Sequence, residues 1–254
     1  MEPSGNRKTR KAFHQRGGTS RREKQANTAL IVFVKAPAPG YVKTRLCPPL
    51  TPDEAATLHG SLVLDTLEHT RPLVGIDRIV ACAPSKQHPF FHALAARHTV
   101  QLWEQVPDDD LGQRMSHMFD AAFTQHYLKT MIIGSDLPTI DHDIIQQAVE
   151  ALSKHDVVLG PAHDGGYYLI GLNCSTPGLF SEIPWSTNHV ISRTQEIAET
   201  LGLTLKLLPL QRDLDTSDDL QYYIQESPKA LRQRISSRTS QIFKTLNTRL
   251  VDRE

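Results

Sequence analysis

A single aspartate at the end of a short apolar run is the side chain best placed to do chemistry. The run 131–133 is followed by Gly134, Ser135 and Asp136, and Pro138 comes two residues later. Because proline cannot continue a central strand, the pattern predicts a buried parallel strand that delivers the carboxylate to a sheet edge. Ligands of open α/β sheets bind at that edge, where a hard oxygen ligand suits Mg²⁺ or Mn²⁺ shared with a phosphate. An aspartate that only caps the next helix fits the motif equally well.

Three basic residues follow the first predicted strand. The segment 35–46 reads KAPAPGYVKTRL, and its prolines and Gly40 predict a stiff, tight loop. The cations of Lys35, Lys43 and Arg45, with the backbone N–H groups of such a loop, are suited to a diphosphate. The segment is neither a Walker loop nor GxGxxG, so a surface loop with ordinary basic residues is the alternative.

A second acidic cluster, DLDTSDDL, spans 213–220. Asp218 and Asp219 are explained by the first turn of a helix, whose dipole favours negative charge. That role does not explain Asp213 and Asp215, which precede the helix. We expect Asp215 to share a divalent cation with Asp136.

A glycine-rich loop, GPAHDGGYY, lies between two later predicted strands. Asp164 could accept a hydrogen bond from a hydroxyl or act as a base, and the two glycines permit close approach of a ligand. The alternative is a hairpin turn of Asp-Gly type. Further along, Trp185 could stack on a ring beside two hydroxyl groups, or belong to the core. The expected substrate-binding residues are Asp164, Gly165, Gly166, Tyr167, Trp185, Ser186 and Thr187.

Arg114 stands at the start of a predicted amphipathic helix, in the segment DLGQRM. Its guanidinium could bind a phosphate bidentately, and a surface ion pair is equally compatible with the position.

Strand-like and helix-like segments alternate along the chain. This order predicts a three-layer α/β/α fold with a mostly parallel central sheet. Thr51 is expected to cap the first helix, with Pro52 as its first residue, and Asp141 to cap a later one. The predicted strands cover 28–34, 77–83, 100–103, 129–134, 156–160, 167–172 and 203–208. The predicted helices cover 52–70, 88–97, 111–127, 141–152, 188–201 and 217–224.

The charge is unevenly distributed. Residues 1–28 carry +6, residues 229–254 carry +5 and the remainder carries −11. We therefore predict a disordered basic leader over 1–28, a catalytic domain over 29–226 and a basic helical tail over 227–254. The apolar residues of the tail could pack on the body or on a partner, so a homo-oligomer formed through it is an open alternative. The acidic body argues against nucleic acid as a partner of the core.

Several classes of protein are disfavoured by composition. The sequence contains no apolar run of membrane-spanning length and opens with no secretory signal pattern. Cys47, Cys82 and Cys174 are far apart and lack metal-ligand spacing, which indicates reduced thiols in the cytoplasm.

The ordered blocks FVKAPAPGYVKTRL, DLGQRM, IIGSDLPTI, GPAHDGGYYLIGL, IPWST and DLDTSDDL resemble a known family. The chain is similar over about 29–220 to the glycosyltransferase-like proteins described as radical-SAM/selenodomain-associated transferase 1, linked by name to arsenosugar biosynthesis. The resemblance implies a nucleotide-diphospho-sugar transferase fold of the GT-A type. It also implies a divalent metal on Asp136 and Asp215. The resemblance implies that Lys35, Gly40, Lys43 and Arg45 bind nucleotide. The full set of expected nucleotide-binding residues adds Ala36 and Pro37 of the same loop, and Arg114.

One position departs from many sugar transferases of this fold, which carry two carboxylates at the strand tip. Here Pro138 occupies the second position. The favoured hypothesis is a metal-dependent glycosyltransferase that uses a nucleotide-sugar donor and a small-molecule acceptor. The alternative is a guanylyltransferase-like nucleotidyltransferase that joins a nucleoside triphosphate to a phosphorylated small molecule and releases pyrophosphate. A non-catalytic binding module is a third hypothesis. In either enzyme the catalytic residues would be Asp136, Lys43 and Asp164.

Overall fold

The computed structural model describes residues 26–108 and 110–251. Within these ranges seven strands form one sheet, in the order β3-β2-β1-β4-β6-β5-β7. The strands are Thr28–Lys35 (β1), Ile76–Ala83 (β2), Gln101–Glu104 (β3), Lys129–Ile133 (β4), Val157–Pro161 (β5), Tyr167–Leu172 (β6) and Leu205–Leu207 (β7). The helices are Pro52–His69 (α1), Pro89–Arg97 (α2), Leu111–Thr124 (α3), His142–Ala151 (α4), Val190–Thr200 (α5), Ser217–Gln221 (α6), Lys229–Arg232 (α7) and Ser237–Val251 (α8).

The sheet is mostly parallel, as predicted. Strand β6 is the exception, because it runs antiparallel to both β4 and β5. Its start therefore lies at the same sheet edge as the end of β4, and this edge carries the loops of the candidate site.

Strand β1 is central and apolar on both faces. Leu30 and Val32 pack into one hydrophobic cluster, whereas Ala29 and Ile31 pack into another on the opposite face. This alternation is what a strand covered by helices on both sides requires, and it confirms the three-layer arrangement.

The predicted helix starts are confirmed at two positions. Thr51 and Glu54 form a reciprocal capping box at the start of α1, and Pro52 is its first residue. Asp141 caps α4 through the N–H of Ile144. The predicted third helix was too long at its end: α3 stops at Thr124, and His126 then adopts a left-handed φ of 66° that turns the chain into β4.

The described part of the C-terminal tail packs on the body of the protein. Phe243 and Leu246 of α8 join a third hydrophobic cluster with Leu46 and Leu214, which border the candidate site. Asp65 of α1, whose side chain is almost fully buried, accepts hydrogen bonds from Ser236, Thr239 and Arg238 of the tail. The described part of the tail is therefore held against α1 and the segment before α6, in a cluster separate from the two that cover the sheet. Residues 1–25 of the predicted leader lie outside the described residues.

No helix in the described part of the chain is both long and apolar enough to cross a membrane.

Candidate active site

The ammonium group of Lys43 lies between two carboxylates. Its Nζ is 2.7 Å from Oδ1 of Asp136 and 3.3 Å from Oδ1 of Asp215. It also donates to the carbonyl oxygen of Leu214 at 2.5 Å. Arg45 reaches the other oxygen of Asp215 at 3.1 Å. The structure thus brings together the cation and both carboxylates that the sequence indicated.

The loop after β1 is shaped to point Lys43 inward. Gly40 has a φ of 78°, and the N–H of Tyr41 donates to the carbonyl of Ala38, which closes a tight turn. Lys43 itself adopts a left-handed φ of 50°, which is uncommon for a residue with a side chain. Such local strain persists only where surrounding contacts impose it, and it is concentrated at functional sites.

Hydrogen bonds to the backbone fix the two segments that carry these carboxylates. Asp136 follows β4, and its carbonyl accepts a hydrogen bond of 2.8 Å from the N–H of Leu214. Asp215 precedes α6, where its N–H and that of Thr216 donate to the carboxylate of Asp219. Asp219 is therefore explained by capping, as expected, whereas the carboxylate of Asp215 takes no part in capping and pairs with Lys43 and Arg45 in the site.

Charge pairing keeps the central groups ionised. Burial by itself would lower the pKa of Lys43, but Asp136 and Asp215 outweigh it and raise the pKa above that of an ordinary lysine. Desolvation would likewise raise the pKa of Asp136, yet the adjacent Lys43 ammonium lowers it below the usual range. Lys43 and Asp136 therefore stabilise each other as an ion pair, and we refer to Lys43, Asp136 and Asp215 together as the charged triad.

Two titratable residues near this triad were not singled out from the sequence as members of the site. His59 of α1 is buried, and its Nε2 bonds the carbonyl of Lys35 at 2.9 Å, which leaves Nδ1 without a partner among the described residues. Burial lowers its pKa, although Asp136 opposes the shift, so the ring is neutral. For Asp213, burial and the nearby Asp164 raise the carboxyl pKa to about 7. His59 lies in no motif. Asp213 opens the acidic cluster 213–220, but its burial and raised pKa depend on tertiary neighbours.

A first cavity of about 420 Å³ opens over the triad. Its walls include Lys35, Tyr41, His59, Gln105 and Arg114. Nη1 of Arg114 donates to Gln105 at 3.1 Å, and Gln105 is itself fixed to the carbonyl of Ala81 at 2.7 Å. Arg114 thus faces the cleft with an oriented guanidinium.

A second cavity of about 450 Å³ adjoins the first. Both cavities share Arg45, Leu111, Tyr167, Asp213 and Asp215. The additional walls of the second cavity are Asp164, Gly166, Trp185, Ser186, Thr187, Asn188 and Val190. Six of the seven residues expected to bind substrate therefore line one cavity beside the triad.

Gly165 and Gly112 each permit a close approach of neighbouring atoms at the second cavity. At Gly165 the φ is 89°, and a Cβ atom would lie 2.3 Å from the carbonyl oxygen of Asn188, so this position shapes the cavity without lining it. At Gly112 a Cβ would lie 2.7 Å from the ring of Trp185, so the absence of a side chain lets that ring pack on α3. The N–H of Gly166 donates to Asp164 at 2.8 Å, so the Asp-Gly turn is present as well.

Three residues expected to bind nucleotide do not line either cavity. Ala36 is buried and its N–H donates to Ala83 at 2.8 Å, and Pro37 packs beside Gly60 of α1. Gly40 shapes the loop through its φ. Their positions support the loop, whereas Lys35, Lys43, Arg45 and Arg114 present side chains to the cleft.

The donor set fits a hard divalent cation only in part. Asp136 and Asp215 offer carboxylate oxygens, the ligand type that Mg²⁺ and Mn²⁺ prefer. In the part of the chain that the structure describes, no group of three or more His, Cys, Asp or Glu side chains is arranged to hold a metal ion. A cation bound here would need further oxygen ligands, which a nucleotide diphosphate carries.

Comparison with known proteins identifies the family. A solved structure from Desulfovibrio desulfuricans G20, provisionally described as a nucleotide-diphospho-sugar transferase, is 30% identical and superposes with a TM-score of 0.79. That match covers 88% of this chain and 96% of the other. Residues 66–187 also match the family model DUF2064, described as an uncharacterized protein conserved in bacteria. The chain belongs to the DUF2064 family. The predicted nucleotide-diphospho-sugar transferase type of fold is confirmed, whereas membership of the radical-SAM-associated subfamily stays a prediction.

This DUF2064 protein also resembles two proteins named phosphoenolpyruvate guanylyltransferase. The one from Sphaerobacter thermophilus (strain ATCC 49802 / DSM 20745 / KCCM 41009 / NCIMB 13125 / S 6022) is 29% identical over 190 residues, 73% of this chain and 88% of the relative. The one from Roseiflexus sp. (strain RS-1) is 30% identical over 117 residues, 46% of this chain and 52% of the relative. The DUF2064 chain thus spans about half the length of the Roseiflexus relative. The structure from Desulfovibrio desulfuricans and the two curated relatives are all named as transferases.

Proposed function

We propose that this protein is a metal-dependent glycosyltransferase that uses a nucleotide-sugar donor. The donor diphosphate would lie at the triad, where Lys43, Arg45 and a divalent cation on Asp136 and Asp215 would offset its charge. When bound, the cation would stabilise the negative charge that develops on the departing nucleoside diphosphate. Arg114 and Lys35 would add positive charge in the first cavity.

The second cavity is the observation that favours sugar transfer. It is lined by the side chains of three aspartates, by the hydroxyl groups of Ser186 and Thr187 and by the rings of Tyr167 and Trp185. The one Arg or Lys side chain among its lining residues, Arg45, is already paired with Asp215. Carboxylates accept hydrogen bonds from hydroxyl groups, and an aromatic ring packs on an apolar face, so the cavity suits a neutral polyhydroxylated group. A phosphorylated acid in this position would meet like charges, an arrangement that costs several kcal/mol.

Asp164 is proposed as the residue that orients or deprotonates the acceptor hydroxyl. Its carboxylate lies in the wall of the second cavity and is held by the N–H of Gly166. A carboxylate at this position would accept the proton of an acceptor hydroxyl bound beside the proposed sugar site.

Guanylyl transfer is the second candidate, and a specific observation favours it. Only one aspartate stands at the tip of β4, because Pro138 occupies the position of a second carboxylate. The guanylyltransferase names of the two relatives point the same way. In that reaction, a nucleoside triphosphate would transfer its nucleotide to a phosphorylated acceptor and release pyrophosphate, with the same residues at the triad.

The two tryptophans of the chain allow a direct test. Trp103 lies on β3, so a W103F variant leaves Trp185 as the reporter of the second cavity. We expect a nucleotide sugar with Mn²⁺ to change the Trp185 fluorescence and to raise the melting temperature, and the matching nucleoside diphosphate to raise the melting temperature without that fluorescence change. An Asp136→Asn variant should lose the effect of Mn²⁺. Pyrophosphate release from GTP and phosphoenolpyruvate, without a response to any nucleotide sugar, would replace sugar transfer with guanylyl transfer.

A further inference from the structure

The ammonium group of Lys43 occupies the place between the two carboxylates that a bound metal cation would need. An ammonium group has three N–H donors, and three oxygens surround Nζ: Oδ1 of Asp136, Oδ1 of Asp215 and the carbonyl of Leu214. The lysine side chain is only 3% exposed, whereas both carboxylate side chains are 42% exposed. The ammonium is therefore enclosed, and it uses one oxygen from each carboxylate of the proposed metal pair.

A divalent cation would compete with this arrangement. Asp136 and Asp215 each have one oxygen committed to Lys43, and Arg45 holds the second oxygen of Asp215. The protein contributes few other ligands, since the described residues provide no group of three or more metal-binding side chains near the pair. A divalent cation that binds without a nucleotide would find three of the four carboxylate oxygens already paired with Lys43 or Arg45 and too few other ligands.

We propose that Lys43 is an internal counter-ion that closes the carboxylate pair in the ligand-free protein, so that a divalent cation binds tightly only together with a nucleotide. The phosphate groups would supply both the missing oxygen ligands for the cation and new acceptors for the Lys43 ammonium. This inference rests on the proposed function in one respect, namely that a nucleotide diphosphate binds at the triad. Because coupling between two ligands is reciprocal, the cation must raise the affinity of the nucleotide by the same factor.

The test measures Mn²⁺ binding by electron paramagnetic resonance, with the full-length protein alone and with GDP. For the wild type we expect Mn²⁺ to bind at least tenfold more tightly with GDP than without it, after correction for Mn²⁺ bound to free GDP. For Lys43→Met without nucleotide we expect Mn²⁺ to bind at least tenfold more tightly than to the wild type. Arg45→Met is the matched control, because it also removes one positive charge next to Asp215 but leaves the ammonium in place; we expect a change below threefold.

Two results would overturn the proposal. One is a Lys43→Met variant that binds Mn²⁺ no more tightly than the wild type or than Arg45→Met. The other is a wild type that binds Mn²⁺ equally well with and without GDP. Circular dichroism checks the fold of each variant, and Lys43→Gln replaces Lys43→Met if the latter fails to fold. Failure of GDP to bind would count against the proposed function, whereas the comparison of the variants without nucleotide would still decide the role of Lys43.

Discussion

Lys43 and Asp136 meet because the strands that precede them are neighbours in register. Val32 of β1 pairs with Ile133 of β4, and both strands run in the same direction, so their carboxyl ends reach the same edge of the sheet. The 2.7 Å contact between Nζ of Lys43 and Oδ1 of Asp136 forms just beyond that edge. The position of the charged triad is therefore set by the central part of the sheet.

Replacing Lys43 with arginine should be far more damaging than replacing Arg45 with lysine. The three oxygens around Nζ enclose a compact ammonium, and a planar guanidinium does not fit that arrangement. We expect Lys43→Arg to lower the turnover number by on the order of 100-fold, the scale of losing one electrostatic contact in a transition state. Arg45 is 67% exposed, so Arg45→Lys should cost less than tenfold. Steady-state kinetics with a nucleotide sugar that changes the Trp185 fluorescence compares the two, and equal losses would contradict the proposed enclosure.

The buried carboxylate of Asp65 should contribute to stability through the tail. It accepts hydrogen bonds from three residues that follow α7, one of them the charged Arg238. Hydrogen bonds to a charged group are worth about 1.5–3 kcal/mol, so Asp65→Asn should lower the free energy of unfolding by about 2 kcal/mol. The control is Glu68→Gln, which changes a half-exposed partner of the same arginine and should cost less than about 1 kcal/mol. Urea unfolding measures both, and a similar small loss in each would show that the tail is not anchored at Asp65.

A methyl group at Gly165 should disturb the second cavity, whereas one at Gly40 should only add backbone strain. Both glycines have a positive φ, but nothing lies within 4 Å of a Cβ at Gly40, and at Gly165 the backbone of Asn188 is in the way. We expect Gly40→Ala to cost about 1 kcal/mol and Gly165→Ala about 3 kcal/mol, because the second change must also displace a neighbouring segment. Thermal unfolding gives the difference. A Gly165→Ala protein as stable as Gly40→Ala would mean that the Asn188 segment moves freely.

The buried His59 should make the protein less stable as the pH falls. Its pKa is lower in the folded than in the unfolded protein, so the unfolded state takes up the proton first. The contribution of this group to stability is therefore complete above pH 6.5 and decreases as the pH falls toward the folded pKa. His59→Gln keeps a donor for the carbonyl of Lys35 and cannot titrate. We expect the wild type to lose more stability than this variant between pH 7 and pH 5 in urea titrations, and parallel curves would be inconsistent with a buried neutral histidine.

Much of the fold was predictable because local signals agreed with one another. The apolar run of β1, the cap at Thr51 and the stop at Pro138 each act over a few residues, and together they define parallel strands whose ends meet at one edge. From that topology, the loop after β1 and the tip of β4 were expected at the same edge of the sheet. The end of α3 was misjudged because the left-handed turn at His126 has no glycine to signal it.

The finer structure of the site depends on contacts between distant segments, which no local pattern encodes. The sequence indicated Asp215 as a partner of Asp136, but not that the Lys43 ammonium would lie between them. The burial of Asp213 and His59 follows from how α1 and the segment before α6 close over the sheet. The sequence likewise did not indicate whether the tail packs on the body or on a partner. The structure shows the described part of the tail bonded to Asp65 of the body.

The bond between Lys43 and Asp215 joins residues that are 172 positions apart. Closing so long a loop is entropically costly and characteristic of slow steps in folding, so the charged triad should be among the features formed late. A chain still being synthesised cannot complete it until Asp215 has left the ribosome, after all seven strands of the described sheet have emerged. The ability to bind nucleotide would then be among the last properties to appear during folding. In refolding experiments, the recovery of nucleotide binding should lag behind the recovery of secondary structure.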